Sequence, residues 1–399
     1  MASTFVASEQ ELVQSAQTVY AALKAQWETY DNYYWQLGHS FDTIIDYFAF
    51  IDGSDAANFS QIAQQGYQSS LGSACWYDDF GWWGISALKA AQHPELFKDV
   101  APFVTIYEGC WKTVYDNAPN VWANDQHNPA AAPFRPRFDG GVWNRGWTGK
   151  DECGGTNHLP RDEAECKKDP DQGDNLEGIQ NTVTNGLYLV LALRLYEATN
   201  NALYLAAAKR EYDFLNQWFN VSDSQNGLLF VPGGGVPGAL ARERMSTYAS
   251  GTRVCGYTPG LAWSGDQGII VGGLIDRMIV VPSDNNPGSP ASKYAVAILE
   301  CVASLTNHNS YHGVMQPWIW GNGGDPGDYS TGVGVFMRYL LYADQKNTRI
   351  RNQTRSQDYR QLIAANVSAV PTNPTQDAGL VPLTNWLAIL VAAIQMSRN

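Results

Sequence analysis

The chain of 399 residues is 44% hydrophobic and 16% charged, long enough to bury a sizeable core and too apolar for a disordered protein. A net charge of −13 argues against nucleic acid and anionic membrane as partners, because both reward basic patches. No apolar run approaches the length of a membrane helix, so the sequence reads as soluble, with no membrane span.

Helical periodicity dominates from the start. Leu12, Val13, Ala16, Val19, Tyr20 and Leu23 form the apolar stripe of a half-buried helix. A second helix is expected in "SFDTIIDYFAFID", with Ser40 as its cap and Gly53 closing it. Another begins near Asp78 and runs to about Ala91, where His93-Pro94 stops it. "TVTNGLYLVLALRLYEATN" and "ALYLAAAKREYDFLNQWFN" read as a helical hairpin joined at Asn200-Asn201. Four later segments, "DQGIIVGGLIDRMIV", "ASKYAVAILECVASLT", "TGVGVFMRYLLYADQ" and "PLTNWLAILVAAIQM", continue the pattern to give roughly ten to twelve helices. Several are apolar on most faces, as inner helices of a two-layer array are.

Residues 127–178 break this rhythm with Gly, Pro, Asp and Asn, and a connection of that length inside a compact domain is usually functional. Residues 232–260 and 317–332 are shorter stretches of the same character. No linker with a composition shift on both sides divides the chain. The expectation is one all-α domain over 1–399, an α/α toroid whose loops form a cleft at one end.

Six cysteines (Cys75, Cys110, Cys153, Cys166, Cys255, Cys301) lack CxxC and His spacing, so no zinc site is expected. Their even number predicts disulfides in a secreted protein, Cys153 with Cys166 being the expected pair because they bracket one polar segment. Sequons at Asn58, Asn220, Asn352 and Asn366 agree with secretion. "MASTFVASEQELVQ" lacks a basic start and an apolar core, so it is no signal peptide; the chain begins at a mature end or is cytoplasmic, and secretion is the expectation. Asp169, Asp171, Asp174 and Glu177 do not fit an EF-hand, and Asp325 and Asp328 read as turn residues. There is no HxxxH, GxSxG or P-loop, and neither metal nor cofactor is expected.

The more specific signal is aromatic: 14 Trp, 21 Tyr and 14 Phe beside little charge. Flat apolar faces with polar handles suit hydroxyl-rich ligands such as sugars, although a Trp-rich core must account for most of them. In "YDDFGWWGISALKA" the adjacent Asp78 and Asp79 stand among Trp76, Tyr77, Phe80, Trp82 and Trp83. An Asp before an apolar helix is a good cap, and a second carboxylate favours the dipole. Aromatic surroundings add desolvation, which with a like charge pushes one pKa up and splits the pair into an ionised group and an acid. Retaining glycosidases hold their carboxyls about 5–5.5 Å apart, a distance that neighbouring residues reach more readily than the longer inverting separation.

The same stretch resembles the signature of glycoside hydrolase family 76, the endo-α-1,6-mannanases, whose catalytic pair is two consecutive Asp before an aromatic helix. "YYWQLGHSFDTIIDYF", "FDGGVWNRG", "NTVTNGLYLVLALRLYEAT", "WSGDQGIIVGGLIDR" and "YSTGVGVFMRYL" resemble further family segments in the expected order. The resemblance implies an (α/α)6 barrel and retaining hydrolysis of α-1,6-linked mannose chains. It makes Asp78 the nucleophile and Asp79 the general acid/base, with the raised pKa expected on Asp79. It also implies sugar hydrogen bonds from Asn185, Trp263, Asp266 and Gln267, and sugar stacking on Trp82 and Trp143, with helix capping and core packing as their structural alternatives. The expected partner is a polysaccharide or oligosaccharide. A transglycosidase of the same fold, a carbohydrate-binding protein without catalysis, and another toroid hydrolase or lyase are the competing readings.

Overall fold

The structure, a computed structural model, describes residues 7–29, 33–74, 76–118, 140–144, 180–221, 227–231, 238–243 and 260–398. Among these, twelve long helices carry the fold. They are α1 (Glu9–Thr29), α2 (Tyr34–Phe50), α3 (Ala56–Ser70), α4 (Tyr77–Ala91), α5 (Ala101–Asn117), α6 (Thr182–Thr199), α7 (Ala202–Phe219), α8 (Ser264–Val280), α9 (Pro290–Asn307), α10 (Gly332–Lys346), α11 (Gln357–Ser368) and α12 (Leu380–Ser397). Each even-numbered helix packs on the next, from α2 round to α12, which returns to α2. The odd-numbered helices lie outside: α1 on α12, α3 on α2, α5 on α4, α7 on α6, α9 on α8, and α11 on α12 and α9. This is the (α/α)6 barrel expected from the sequence.

The residue pattern explains the two layers. Outer α1 buries one stripe, Leu12, Ala16, Val19, Tyr20, Leu23 and Trp27, and leaves the rest to water. Inner α6 is buried on all sides from Thr184 to Leu193, so its sequence shows no polar face. Asn200 is left-handed at φ 54° and Asn201 caps α7 through Leu203 N–H at 3.0 Å, which makes the turn expected between the two helices. Two small antiparallel pairs, β1 (Leu228–Val231) with β2 (Gly238–Ala241) and β3 (Ala262–Trp263) with β4 (Trp318–Trp320), decorate the barrel.

Inner helices approach closely because each of five carries a glycine in its early turns facing the next helix. A Cβ on Gly81 would lie 2.9 Å from Leu187, on Gly186 2.6 Å from Ile269, and on Gly334 2.4 Å from Asn385. Gly38 meets Trp83 in the same way, and a Cβ on Gly268 would lie 2.8 Å from the Phe336 Cα. Thr384 closes the circle by donating to Ser40 Oγ at 3.1 Å. Early turn meets early turn throughout, so all six inner helices are parallel and their N-termini share one end.

Deeper in the barrel, buried ion pairs fill the axis. Asp42 meets Arg338 and Lys89, each at 2.8 Å, Lys89 also reaches Asp46 at 2.6 Å, and Arg194 pairs with Asp276 at 2.9 Å. Burial pulls the Asp42 carboxyl upward, but Arg338 and Lys89 overcome it and hold it well below the usual carboxylate range.

Three expectations are corrected. Ser40 is no cap: α2 begins at Tyr34, and Ser40 sits inside it, accepting Trp27 Nε1–H at 3.0 Å. One helix, α12, is long and apolar enough by length and composition to cross a bilayer, yet it packs between α2 and α10 as an inner helix, which is why it needs no polar face. Cys110 and Cys301 are free buried thiols, Cys110 lying 3.7 Å from the Tyr34 hydroxyl, so neither forms a disulfide. The other four cysteines, including the expected pair Cys153 and Cys166, lie outside the described residues, as does most of the long polar segment at 127–178.

Candidate active site

The shared end receives the loops that precede the inner helices, and the partial positive charge of six parallel N-termini converges there. Asp78 and Asp79 occupy the first turn of α4 at this end. Asp79 reaches back to accept Trp76 N–H at 3.0 Å through Oδ2, which satisfies an end-of-helix donor and fixes the carboxyl. Asp78 points across to α6, where Thr184 Oγ1 donates to its Oδ1 at 3.1 Å. Tyr77 N–H donates to Asn144 O at 2.8 Å, so residues 140–144 brace the same turn. Asp79, Phe80, Trp82 and Trp83 are buried, and Asp78 is half-buried beside them.

Burial pushes the Asp78 carboxyl up to about 6. The Asp328 charge, in the turn before α10, adds to the rise, while the Asp78 backbone N–H and the Thr184 hydroxyl oppose it. The expectation placed the raised pKa on Asp79, with the helix dipole favouring an ionised Asp78; the rise at Asp78 runs against that, because desolvation outweighs the dipole at this position. Asp78 is nevertheless mostly ionised at pH 7.

The other expected site residues divide by what they touch. Asn185 is fully buried; its Oδ1 accepts Val142 N–H at 2.8 Å, and its Nδ2 donates to Val142 O at 3.0 Å and Asn181 O at 2.7 Å. Gln267 does the same one helix on, accepting Ala241 N–H at 2.8 Å and donating to Ala241 O at 2.8 Å and Trp263 O at 2.9 Å. Both amides therefore clamp incoming loops to helix starts, with both N–H donors engaged, rather than offering them to a ligand. Asn385 repeats the device by joining Gly334 N–H at 2.9 Å to Ser330 O at 2.8 Å.

Trp82 and Trp143 are each 3% exposed. Trp82 meets the His39 ring edge-on at 5.4 Å and lies 6.0 Å from the Arg338 guanidinium, so it belongs to the wall of the barrel and presents no open face for stacking. Asp266 is buried in the first turn of α8. Trp263 is buried too, donating Nε1–H to Tyr329 O at 2.6 Å.

Trp263 nonetheless marks an aromatic cluster at the same end. Tyr329 packs edge-on against it at 5.5 Å, Trp318 lies 4.6 Å from Tyr329, and the Tyr329 hydroxyl donates to Glu243 Oε1 at 2.6 Å. Trp318, Trp320 and Tyr329 are half-buried and keep ring surface at the barrel mouth. The alternating aromatics of "WIW" ahead of a Gly-rich stretch are the sequence signal for them. Asp325 makes the turn expected of it, accepting Gly327 N–H at 3.2 Å. No group of three or more His, Cys, Asp or Glu among the described residues could hold a metal ion.

No protein-family model matches the chain, and no curated protein is significantly similar to it. Solved structures do match. An inactive variant of the family 76 α-1,6-mannanase from Salegentibacter sp., with two consecutive aspartates changed to asparagine and α-1,6-mannotriose bound, aligns with a TM-score of 0.61 at 13% identity over 96% of this chain and 99% of that one. Dfg5 from Chaetomium thermophilum, in complex with glucosamine, aligns at 0.62 and 13% over 100% and 93%. A family 76 α-mannanase of Bacteroides thetaiotaomicron aligns at 0.56 and 13% over 95% and 96%. Over nearly its whole length the chain has the fold of the glycoside hydrolase family 76 α-1,6-mannanases.

Proposed function

We propose that the protein is a retaining endo-glycosidase that cleaves α-1,6-linked mannan or a related α-glycan. One observation carries this reading: two consecutive aspartates stand in the first turn of an inner helix, at the loop-bearing end of an (α/α)6 barrel. A mannanase of the same fold is inactive when two consecutive aspartates are replaced. In the proposed reaction an ionised Asp78 oxygen attacks the anomeric carbon while Asp79 gives a proton to the departing glycosidic oxygen. The resulting glycosyl ester on Asp78 is then attacked by water, whose proton Asp79 removes, and both carboxyls return to their starting forms. Thr184 orients the attacking oxygen, and the braced turn at Tyr77 holds both carboxyls in place. Trp318, Trp320 and Tyr329 supply faces for sugar rings. The proposed location is extracytoplasmic, where a polysaccharide substrate is met.

Release of reducing ends from α-1,6-mannan by the wild type, abolished in Asp78→Asn with the fold intact, tests this reading. Near-normal turnover in the variant overturns it, and inversion at the anomeric centre by proton NMR overturns retention. The likeness to a glucosamine-bound structure supports a second reading, transfer of the glycosyl group to a sugar acceptor in place of water. Product analysis with excess acceptor separates the two.

A further inference from the structure

A second concave site of about 360 Å3 lies on the flank of the barrel, in the wedge between outer helices α5 and α7 with α6 behind it. That volume is within the range of small-molecule sites. Helix α7 contributes Leu203, Ala206, Ala207, Arg210 and Glu211, spaced i, i+3, i+4, i+7 and i+8 along one face. Such a face on an outer helix is normally covered, yet Leu203 stays 42% exposed and Ala206 leaves the entrance open. On the opposite side Tyr115 and Tyr188 both stack on Trp111 with centroids 5.2 Å away, which makes a rigid aromatic wall.

The inner part of the cavity holds a buried acid. Glu211 is 1% exposed, and its Oε1 has no hydrogen-bond partner, an arrangement that a fold tolerates rarely. Burial pushes this carboxyl well above the usual carboxylate range, with Arg210 opposing, and a carboxyl that holds its proton can both donate and accept. Two carboxyls (Asp116 and Glu211), one guanidinium, two phenols and the small side chains of Ala206 and Ala207 match a neutral polyol with an apolar face. The wall at Gly141 and Val142 belongs to the segment whose Asn144 carbonyl braces α4, so the flank cavity and the carboxylate pair share a support.

We propose that this cavity is a second carbohydrate-binding site, holding one neutral pyranose unit of the same glycan that is cleaved at the barrel end. The sugar class rests on the proposed function; the existence of a polyol site does not. A polymer held on the flank raises the local concentration of its own chain at the cleft, without changing the chemistry there.

The test is affinity electrophoresis of an Asp78→Asn background through gels containing α-1,6-mannan or dextran, with and without Ala206→Trp, which closes the exposed entrance. Retardation that falls at least tenfold with Ala206→Trp supports the site, and retardation that is unchanged overturns it. Glu211→Leu should lose retardation to the same degree while melting at a higher temperature, and Glu211→Gln should restore most of the binding; equal retardation in all three again refutes it. In the active protein, Ala206→Trp should leave kcat and KM on a trisaccharide within twofold and raise KM on the polymer severalfold. If the wild type cleaves no glycan but its retardation is abolished by Ala206→Trp, the activity reading fails and the flank site stands.

Discussion

Replacing Asp78 by Asn should abolish turnover and at the same time stabilise the protein in a pH-dependent way. The Asp78 carboxyl has a folded-state pKa of about 6 against 3.8 for the free group, so ionising it costs more in the folded chain than in the unfolded one. At about 1.4 kcal/mol per pH unit, that rise corresponds to a burden of up to about 3 kcal/mol once the group is ionised in both states. The folded state binds the proton more tightly between these two values, so wild-type stability falls as pH rises from about 4 to about 6 and then levels off. Asn never ionises and escapes the burden. Denaturant unfolding should therefore find Asp78→Asn more stable by about 2–3 kcal/mol at pH 7.5 and by only about 1 kcal/mol at pH 4.5. A variant less stable than the wild type at pH 7.5, or a gain equal at both pH values, would refute the claim that burial sets this carboxyl.

If Asp78 is the nucleophile, kcat/KM should fall about tenfold per pH unit below pH 6, because protonation removes the attacking lone pair. Thr184→Val deletes the hydrogen bond that lowers this pKa and should move the acid limb to higher pH; a limb near pH 4 in both proteins contradicts the assignment. Gly268→Ala should cost about 1–3 kcal/mol, since its Cβ would lie 2.8 Å from the Phe336 Cα; a thermal melt unchanged from the wild type contradicts this close approach of α8 and α10. Arg338→Met removes one partner of the buried Asp42 and should destabilise by about 3–5 kcal/mol at pH 7. That gap should narrow towards pH 4, where Asp42 can take a proton, and a gap independent of pH counts against the ion pair as its source.

Much was legible in the residues because helical periodicity is a local property. The apolar stripe of α1, the start of α4 at Asp78 and the Asn200-Asn201 turn follow from spacing and capping chemistry alone. The all-apolar character of α6 and α12 likewise announced inner helices, and with them a two-layer barrel. The adjacency of Asp78 and Asp79 needs no fold to be noticed, and its aromatic company foretold desolvation.

Which carboxyl rises, and what each polar side chain serves, is decided by partners remote in sequence. Beyond the burial that its aromatic stretch foretold, Asp78 is set by Thr184 on α6 and by Asp328 before α10, neither of which that stretch reveals. Asn185 and Gln267 look alike in sequence to ligand-binding amides, yet each lies where a loop end needs its backbone groups satisfied. Trp82 could have faced a sugar, but a closed ring of helices places it against His39 and Arg338. The glycines that let the ring close are spread over nearly three hundred residues and mean nothing singly, so only the assembled barrel gives them a role. Composition and periodicity determine which segments become helices and which faces seek cover. The closure of the ring decides which charges are desolvated and which rings and amides are left for a ligand, because desolvation is a property of neighbours in space.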